Sequence, residues 1–171
     1  MTYNIHPIFV HFPIALLFVY SLIKMLSLQK WLPNISWKDI ERTLLIIGVL
    51  GAFVALSTGD VAEHLTRPNR NLVETHSLFA TTATWMYVLL LIGELLTIYM
   101  SWLSSKIASP IVLRVLTFIR DLFTHPILSK TMAALGLVTI SITGLLGGVM
   151  VYGTSADPLA GFILQILGIQ Y

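Results

Sequence analysis

The sequence contains no cysteine and little charge, and both absences narrow what the chain can do. No cysteine occurs in its 171 residues, which excludes disulfides, thiolate metal sites, thiol catalysis and the C-x-x-C-H attachment of c-type haem. Only 11% of the residues are charged, against roughly 25% in soluble domains. The net charge of +2 is small and dispersed, so no nucleic-acid partner is indicated. With 56% hydrophobic residues, the composition predicts a protein that contacts the lipid bilayer.

Four segments are long and apolar enough to cross a bilayer, which requires about 20 mostly apolar residues. The predicted spans are residues 7–28, 43–62, 74–101 and 131–153. The sequence therefore predicts an all-α fold, an integral membrane four-helix bundle formed by one domain over residues 1–171. The first apolar run follows no basic region and is longer than a signal-peptide core, so we expect the mature protein to retain it.

Two further segments are predicted to lie at the membrane surface. Residues 107–125 place polar and apolar side chains on opposite faces at helical spacing, which predicts an amphipathic surface helix on the cytoplasmic side. The C-terminal run over residues 158–171 is apolar but too short to cross, so we expect a short interfacial segment. Both segments offer apolar surface for contact with other membrane subunits.

Lysine and arginine are distributed unevenly between the two sides of the predicted bundle. On the side of the N-terminus, the 62–73 loop carries Arg67 and Arg70. The connections on the opposite side carry Lys24, Lys30, Lys38, Arg42, Lys106, Arg114, Arg120 and Lys130. Because cytoplasmic loops are enriched in lysine and arginine, we expect the opposite side to be cytoplasmic and both termini to lie outside.

Two histidines occupy matching depths on the outer side of the predicted bundle. His11 and His76 each lie about four residues inside a span, about 6 Å below its start at 1.5 Å per residue. Haem iron accepts imidazole ligands and requires no cysteine. We therefore expect haem b, with His11 and His76 as the axial ligands of its iron. The alternative for His11, as for His6, is that its imidazole only lies among hydrated headgroups.

Glycines and one arginine complete this candidate site. Gly144, Gly147 and Gly148 fall at a similar level in the last span, where they leave room for a porphyrin against the backbone. Arg70 lies near enough to the same level to contact a haem propionate. Gly144 and Gly148 also form a GxxxG pair, which favours close helix packing without any cofactor.

Two other histidines and one carboxylate each allow more than one interpretation of their role. His64 follows Asp60 by four residues, so the two form either a surface pair or, with Glu63, a divalent-metal site. His6 precedes a proline, which is typical of the first turn of a helix. Glu94 lies within a span and is protonated, paired with a cation of another helix, or part of a proton path. No catalytic residue is predicted, because no nucleophile or general base is placed for a reaction.

Several motifs resemble a family of predicted bacterial membrane proteins of unknown function. The resemblance rests on HPIFVHFPIALL at residues 6–17, STGD at 57–60, RNLVETH at 70–76 and GGVMVYG at 147–153. It implies a bacterial inner membrane location. Some members of that family are fused to Rieske iron–sulfur or cytochrome domains, which implies respiratory or photosynthetic electron transfer.

Two functions of different classes follow from the sequence. The first is a membrane-embedded b-type haem protein that transfers electrons near the outer face and interacts with a quinone. The second is a cofactor-free structural subunit of a larger respiratory or photosynthetic membrane complex.

Overall fold

Helices account for nearly all of the structure, a computed structural model. It describes residues 6–66 and 69–169, apart from the side chains of residues 60, 64–66 and 156. The helices in these ranges are α1 (His6–Leu26), α2 (Trp37–Thr66), α3 (Arg70–Lys106), α4 (Pro110–Thr124), α5 (Pro126–Tyr152) and α6 (Ala160–Ile166). Short 3₁₀ turns cover Leu28–Lys30 and Gly153–Ala156. The described residues contain no strand, and the all-α prediction is confirmed.

Four of the helices are long and apolar enough to cross a membrane, and they confirm the predicted four-span architecture. These are α1, α2, α3 and α5. At 37 residues, α3 is about 55 Å long at 1.5 Å per residue, well beyond the roughly 30 Å of a bilayer core. One end of α3 therefore extends past the apolar layer.

The helix ends follow from local sequence. The Asn69 side chain accepts hydrogen bonds from the first backbone N–H groups of α3, and the Ser109 side chain accepts one from the first turn of α4. Pro110 and Pro126 occupy first-turn positions of α4 and α5, where a missing N–H costs nothing. Gly153 ends α5 at a positive φ of 72°, a conformation that glycine adopts without strain.

The four long helices form a closed bundle in which α1 and α3 are diagonal. The principal contacts pair α1 with α2 and α3 with α5, and α1–α5 and α2–α3 contacts close the ring. In the centre, the Tyr20 ring of α1 meets the Tyr87 ring of α3 edge-on, with centroids 6.0 Å apart. Ser21 Oγ and Tyr87 Oη share a buried hydrogen bond of 2.8 Å. Side chains therefore join the two diagonal helices across the core.

Helix α4 covers most of the segment predicted as an amphipathic surface helix, and it folds back along the C-terminal end of α3. A Cβ added to Gly93 of α3 would lie 2.8 Å from Cβ of Phe123, near the end of α4. From Gly93 to Lys106 the helix rises about 20 Å, which matches the length of α4 and the antiparallel return. No residue of α4 is buried. The two helices form a hairpin, and the position of α4 at a membrane surface stays a prediction.

The C-terminal segment packs on the bundle. Ala160 and Leu164 of α6 are buried in one cluster with Leu72, Leu146 and Val149 of α3 and α5. Its opposite face remains exposed. Part of the apolar surface that was predicted to contact other subunits is therefore covered by the chain itself.

Glu94 is paired with cations of two other helices, which selects one of the three sequence alternatives. Its Oε2 accepts a hydrogen bond of 3.0 Å from Arg42 Nε of α2, and its Oε1 lies 3.9 Å from Lys24 Nζ of α1. Lys24 also donates to Glu41 Oε2 at 3.0 Å. The Glu94 side chain is only 13% exposed. This ionic network therefore links α1, α2 and α3 at the end of the bundle that we call the lysine end (residues 24, 41, 42 and 94).

Removal of the Glu94 charge is expected to destabilise the protein. Glu94→Gln leaves Arg42 and Lys24 with one fewer carboxylate in a poorly hydrated site, at a cost of about 1–3 kcal/mol. Glu74→Gln is the matched control on the same helix, because Glu74 and Arg70 form an exposed pair worth about 0–1 kcal/mol. Thermal unfolding in detergent should show a clear loss for the first variant and little change for the second. Equal losses would contradict a structural role for the network.

A side chain at position 136 is expected to disrupt the core. A Cβ at Gly136 of α5 would lie 2.8 Å from Cζ of Tyr87, whose ring is fully buried and held by Ser21. Gly136→Ala should therefore lower the free energy of unfolding by about 1–3 kcal/mol through overpacking. Gly161→Ala is the control, since nothing lies within 4 Å of its Cβ position. An unchanged melting temperature for Gly136→Ala would show that the Tyr87 ring can move.

Candidate functional site

Polar side chains from α1, α2 and α3 meet a glycine of α5 at the end opposite the lysine end. We call His6, Thr58, His76 and Gly147 the histidine cluster. His6 Nδ1 lies 2.9 Å from Thr58 Oγ1, and the His6 and His76 rings are close enough to interact electrostatically. Cε1 of His76 would lie 3.4 Å from a Cβ on Gly147. The cluster therefore brings two imidazoles from the diagonal helices into the same region of the bundle.

Thr58 and the backbone of its own helix hold the His6 ring in place. The Thr58 hydroxyl lies 3.1 Å from the Val54 carbonyl oxygen and 3.0 Å from that of Ala55, so its proton is donated to the backbone of its own helix. Its oxygen can then accept from Nδ1 of His6 in the tautomer that carries the proton on that nitrogen, and the Ala55 backbone also hydrogen-bonds the His6 ring. Metal-binding histidines typically have one ring nitrogen held by a neighbouring group.

His76 carries a buried polar atom without a partner. Its Nδ1 is inaccessible to solvent and makes no hydrogen bond to any of the described residues. The His76 ring also interacts with the backbone of Thr143 on α5, but Nδ1 itself has no hydrogen-bond partner among the described residues. Because an unsatisfied buried polar group costs about 1–3 kcal/mol, such a group is typical of a position retained for function.

His11, the predicted partner of His76, faces away from the cluster. Its ring is exposed, and Nδ1 contacts the carbonyl oxygen of Pro7 one turn earlier in the same helix. The structure does not bring His11 and His76 together; the α1 histidine beside His76 is His6. His11 as an iron ligand stays a prediction.

The other predicted cofactor contacts are only partly assembled. Arg70 Nε donates to Glu74 Oε1 at 2.7 Å on the exposed start of α3, with 88% of its side chain exposed. Of the three glycines, Gly147 contacts His76, whereas Gly144 faces Ile14 of α1, with Cδ1 4.0 Å from its Cβ position. Gly148 is half-buried on the same helix. The space predicted for a porphyrin beside these glycines is therefore already partly filled by a histidine ring and an isoleucine side chain.

The alternative divalent-metal site lies largely outside the described residues. The side chains of His64 and Asp60 are not among them, and Glu63 is exposed. Where side chains are described, no group of three or more His, Cys, Asp or Glu residues is placed to hold a metal ion. The two imidazoles of the histidine cluster therefore have no third metal-binding side chain beside them in the described part of the chain.

Sequence reasoning missed His6 and Thr58, although helical periodicity contains a signal for the first. His6 precedes the buried Pro13 by seven residues, about 700° of rotation, which returns it to nearly the same face of α1. His11 precedes Pro13 by two residues, about 200°, and therefore lies on the opposite face. The sequence prediction chose His11 because of its depth along the helix. The angular position around the helix axis is what places His6, and not His11, on the buried side. Thr58 gave no signal of its own, because its partner is on another helix.

The fold and the cluster define a four-span membrane protein with a polar site at one end of its bundle. The chain belongs to a family described as predicted membrane protein (DUF2231), whose model matches residues 2–157. The predicted family resemblance is confirmed to this extent. No curated protein and no solved structure matches the chain.

If His76 is retained for a ligand, its removal should stabilise the ligand-free protein. His76→Leu eliminates the unsatisfied Nδ1 while keeping an apolar contact with Gly147, so a gain of about 1–2 kcal/mol is expected. His11→Leu is the control, since that ring is exposed and should change stability by less than about 0.5 kcal/mol. Thermal unfolding of protein expressed under haem depletion measures both. A loss of stability in His76→Leu would show that this histidine serves packing.

Proposed function

We propose that this protein is a membrane-embedded electron-transfer module that holds haem b between His6 and His76 at the histidine cluster. The observation that carries the proposal is the buried Nδ1 of His76, which lacks a hydrogen-bond partner among the described residues, on a ring that interacts electrostatically with His6. Ionisable groups inside membrane helices are costly, and those that persist usually serve function. Here two of them come from diagonal helices of one bundle.

The donor set favours haem iron over an isolated metal ion. Protein-bound zinc requires three or four protein ligands, whereas the described residues offer no group of three. Haem iron accepts imidazole and is held largely by its porphyrin, so His6 and His76 would be enough to hold it. When bound, the haem supplies one-electron redox chemistry.

The residues of this chain would hold and orient the group. Thr58 fixes the His6 ring through Nδ1, and Gly147 provides space beside His76 because it lacks a side chain. Tyr87 lies deeper in the bundle and is fully buried, and Leu146 is fully buried at the level of Gly147, so water is excluded on both sides. Arg70 is proposed to contact a haem propionate. To do so it would have to leave Glu74, its exposed ion-pair partner, and bind the propionate instead.

The wider setting is part of the same proposal. The excess of cations at the lysine end supports a cytoplasmic location for that end and an outer location for the histidine cluster and both termini. A bacterial inner membrane, a quinone partner and neighbouring electron-transfer subunits are supported by the Rieske and cytochrome fusions that the resemblance implies for some family members.

A second candidate, a cofactor-free structural subunit, is favoured by the packing at the glycines. The His76 ring lies against Gly147 and Ile14 faces Gly144, so the helices already fill part of the predicted porphyrin space. In this case the glycines only allow α1, α3 and α5 to approach closely. The exposed face of α6 and the α3–α4 hairpin would then contact other subunits.

One absorption experiment separates the two candidates and identifies the ligands. Protein purified from haem-supplied cells is reduced with dithionite, and the Soret and α bands are recorded for the wild type and for three alanine variants. His6→Ala and His76→Ala should each lose the bands, whereas His11→Ala, the exposed histidine of the same helix, should keep them.

Two results would contradict the proposal. A flat spectrum of the wild type, with haem available during expression, would leave the structural subunit as the remaining candidate. Loss of the bands in His11→Ala with retention in His6→Ala would show that the sequence-based ligand pair binds the iron.

A further inference from the structure

The lysine end contains an open cleft that the proposed function does not use. Its volume is about 760 Å³. The ionic network of Lys24, Glu41 and Glu94 lies at its base. One side is formed by the 3₁₀ turn Leu28–Lys30 and the start of α2, and the other by the end of α4 and the start of α5. The cleft is therefore enclosed by every helix from α1 to α5.

Cations outnumber carboxylates in the lining of the cleft. Five cationic side chains and three carboxylates line it: Lys24, Lys30, Lys38, Arg120 and Lys130, with Glu41, Glu94 and Asp121. Each of the three carboxylates already has a cationic partner at 2.7–3.0 Å, from Lys24, Arg42 or Arg120. No carboxylate charge is left over to neutralise the other lysines.

Three lysines at the cleft consequently have no acidic partner. Within the described part of the chain, Lys30, Lys38 and Lys130 have no carboxylate oxygen within 4.0 Å. Lys130 Nζ donates a hydrogen bond of 2.6 Å to Ser27 Oγ, which directs it into the cleft from α5. Lys30 and Lys38 are exposed at the mouth. Three ammonium groups on three different segments therefore face one space.

We propose that this cleft binds the phosphate group of an anionic ligand through Lys30, Lys38 and Lys130. Ammonium groups bind phosphate as compact point charges, and basic pockets between membrane helices on the cytoplasmic side bind anionic headgroups. Trp31 is 81% exposed next to Lys30, and Trp37 lines the cleft. Indoles of this kind are typical of the membrane–water boundary. A phospholipid headgroup and a soluble phosphate share the chemistry that the cleft recognises.

The test compares two charge-matched double variants of the full-length protein. Lys30→Gln/Lys38→Gln removes two cations from the cleft mouth, and Lys106→Gln/Arg114→Gln removes two exposed cations from the α3–α4 hairpin outside the lining. Each purified protein, in neutral detergent, is titrated calorimetrically with phosphatidylglycerol, with phosphatidylcholine and with sodium phosphate. Melting temperatures confirm that both variants are folded.

The cleft variant is expected to bind phosphatidylglycerol about 30-fold more weakly, at about five-fold per lysine. The hairpin variant should lose about two-fold or less, because exposed distant charges are screened. Preference for phosphatidylglycerol over phosphatidylcholine identifies a lipid headgroup as the source of the phosphate. Binding of sodium phosphate alone, weakened in the cleft variant only, identifies a soluble source. Equal weakening in both double variants, or binding of none of the three ligands by the wild type, would overturn the proposal.

Discussion

Polar groups inside a membrane helix bundle must find partners within the protein, because the surrounding lipid offers none. This constraint determines which polar residues of the chain are structural and which are candidates for function. Ser21 and Tyr87 satisfy each other in the centre, and Glu94 is paired with Arg42 and Lys24 at the lysine end. His76 Nδ1 is not satisfied by any described residue. Tyr20 Oη likewise has no partner among the described residues, and its ring packs against Tyr87 in the core.

The two ends of the bundle differ in chemistry, and the difference follows from where charge is located. The histidine cluster contains two histidines, a threonine and a glycine, and no carboxylate or lysine is among its members. At the lysine end, the carboxylates are paired with cations, and further lysines that line the cleft have no acidic partner among the described residues. The cleft therefore has an excess of positive charge. A redox group at one end and a phosphate at the other are therefore independent proposals, and the failure of one would leave the other standing.

Composition and apolar length predicted the spans, because a membrane helix is defined by its contact with lipid and not by its partners. The α3–α4 hairpin was not predicted. The amphipathic pattern of residues 107–125 shows which face of the helix is apolar, but it does not show whether lipid or another helix contacts that face. Gly93, on which Phe123 packs, is one residue of the sequence that this contact requires to be small. The partners of Glu94 were equally hidden, since they lie 52 and more residues away in sequence. For the histidines, the depth along each helix was predictable from the sequence. The side of α1 on which a histidine lies could be assigned only once the buried face of α1 was known.

The central claim is that His6 and His76 share one ligand at the end of the bundle. The molar ratio of haem to protein, measured after purification from haem-supplied cells, tests it most directly. A ratio near one haem per chain that falls to near zero in His6→Ala is the predicted result. A ratio near zero in the wild type, under conditions that load a control b-type cytochrome, would contradict it.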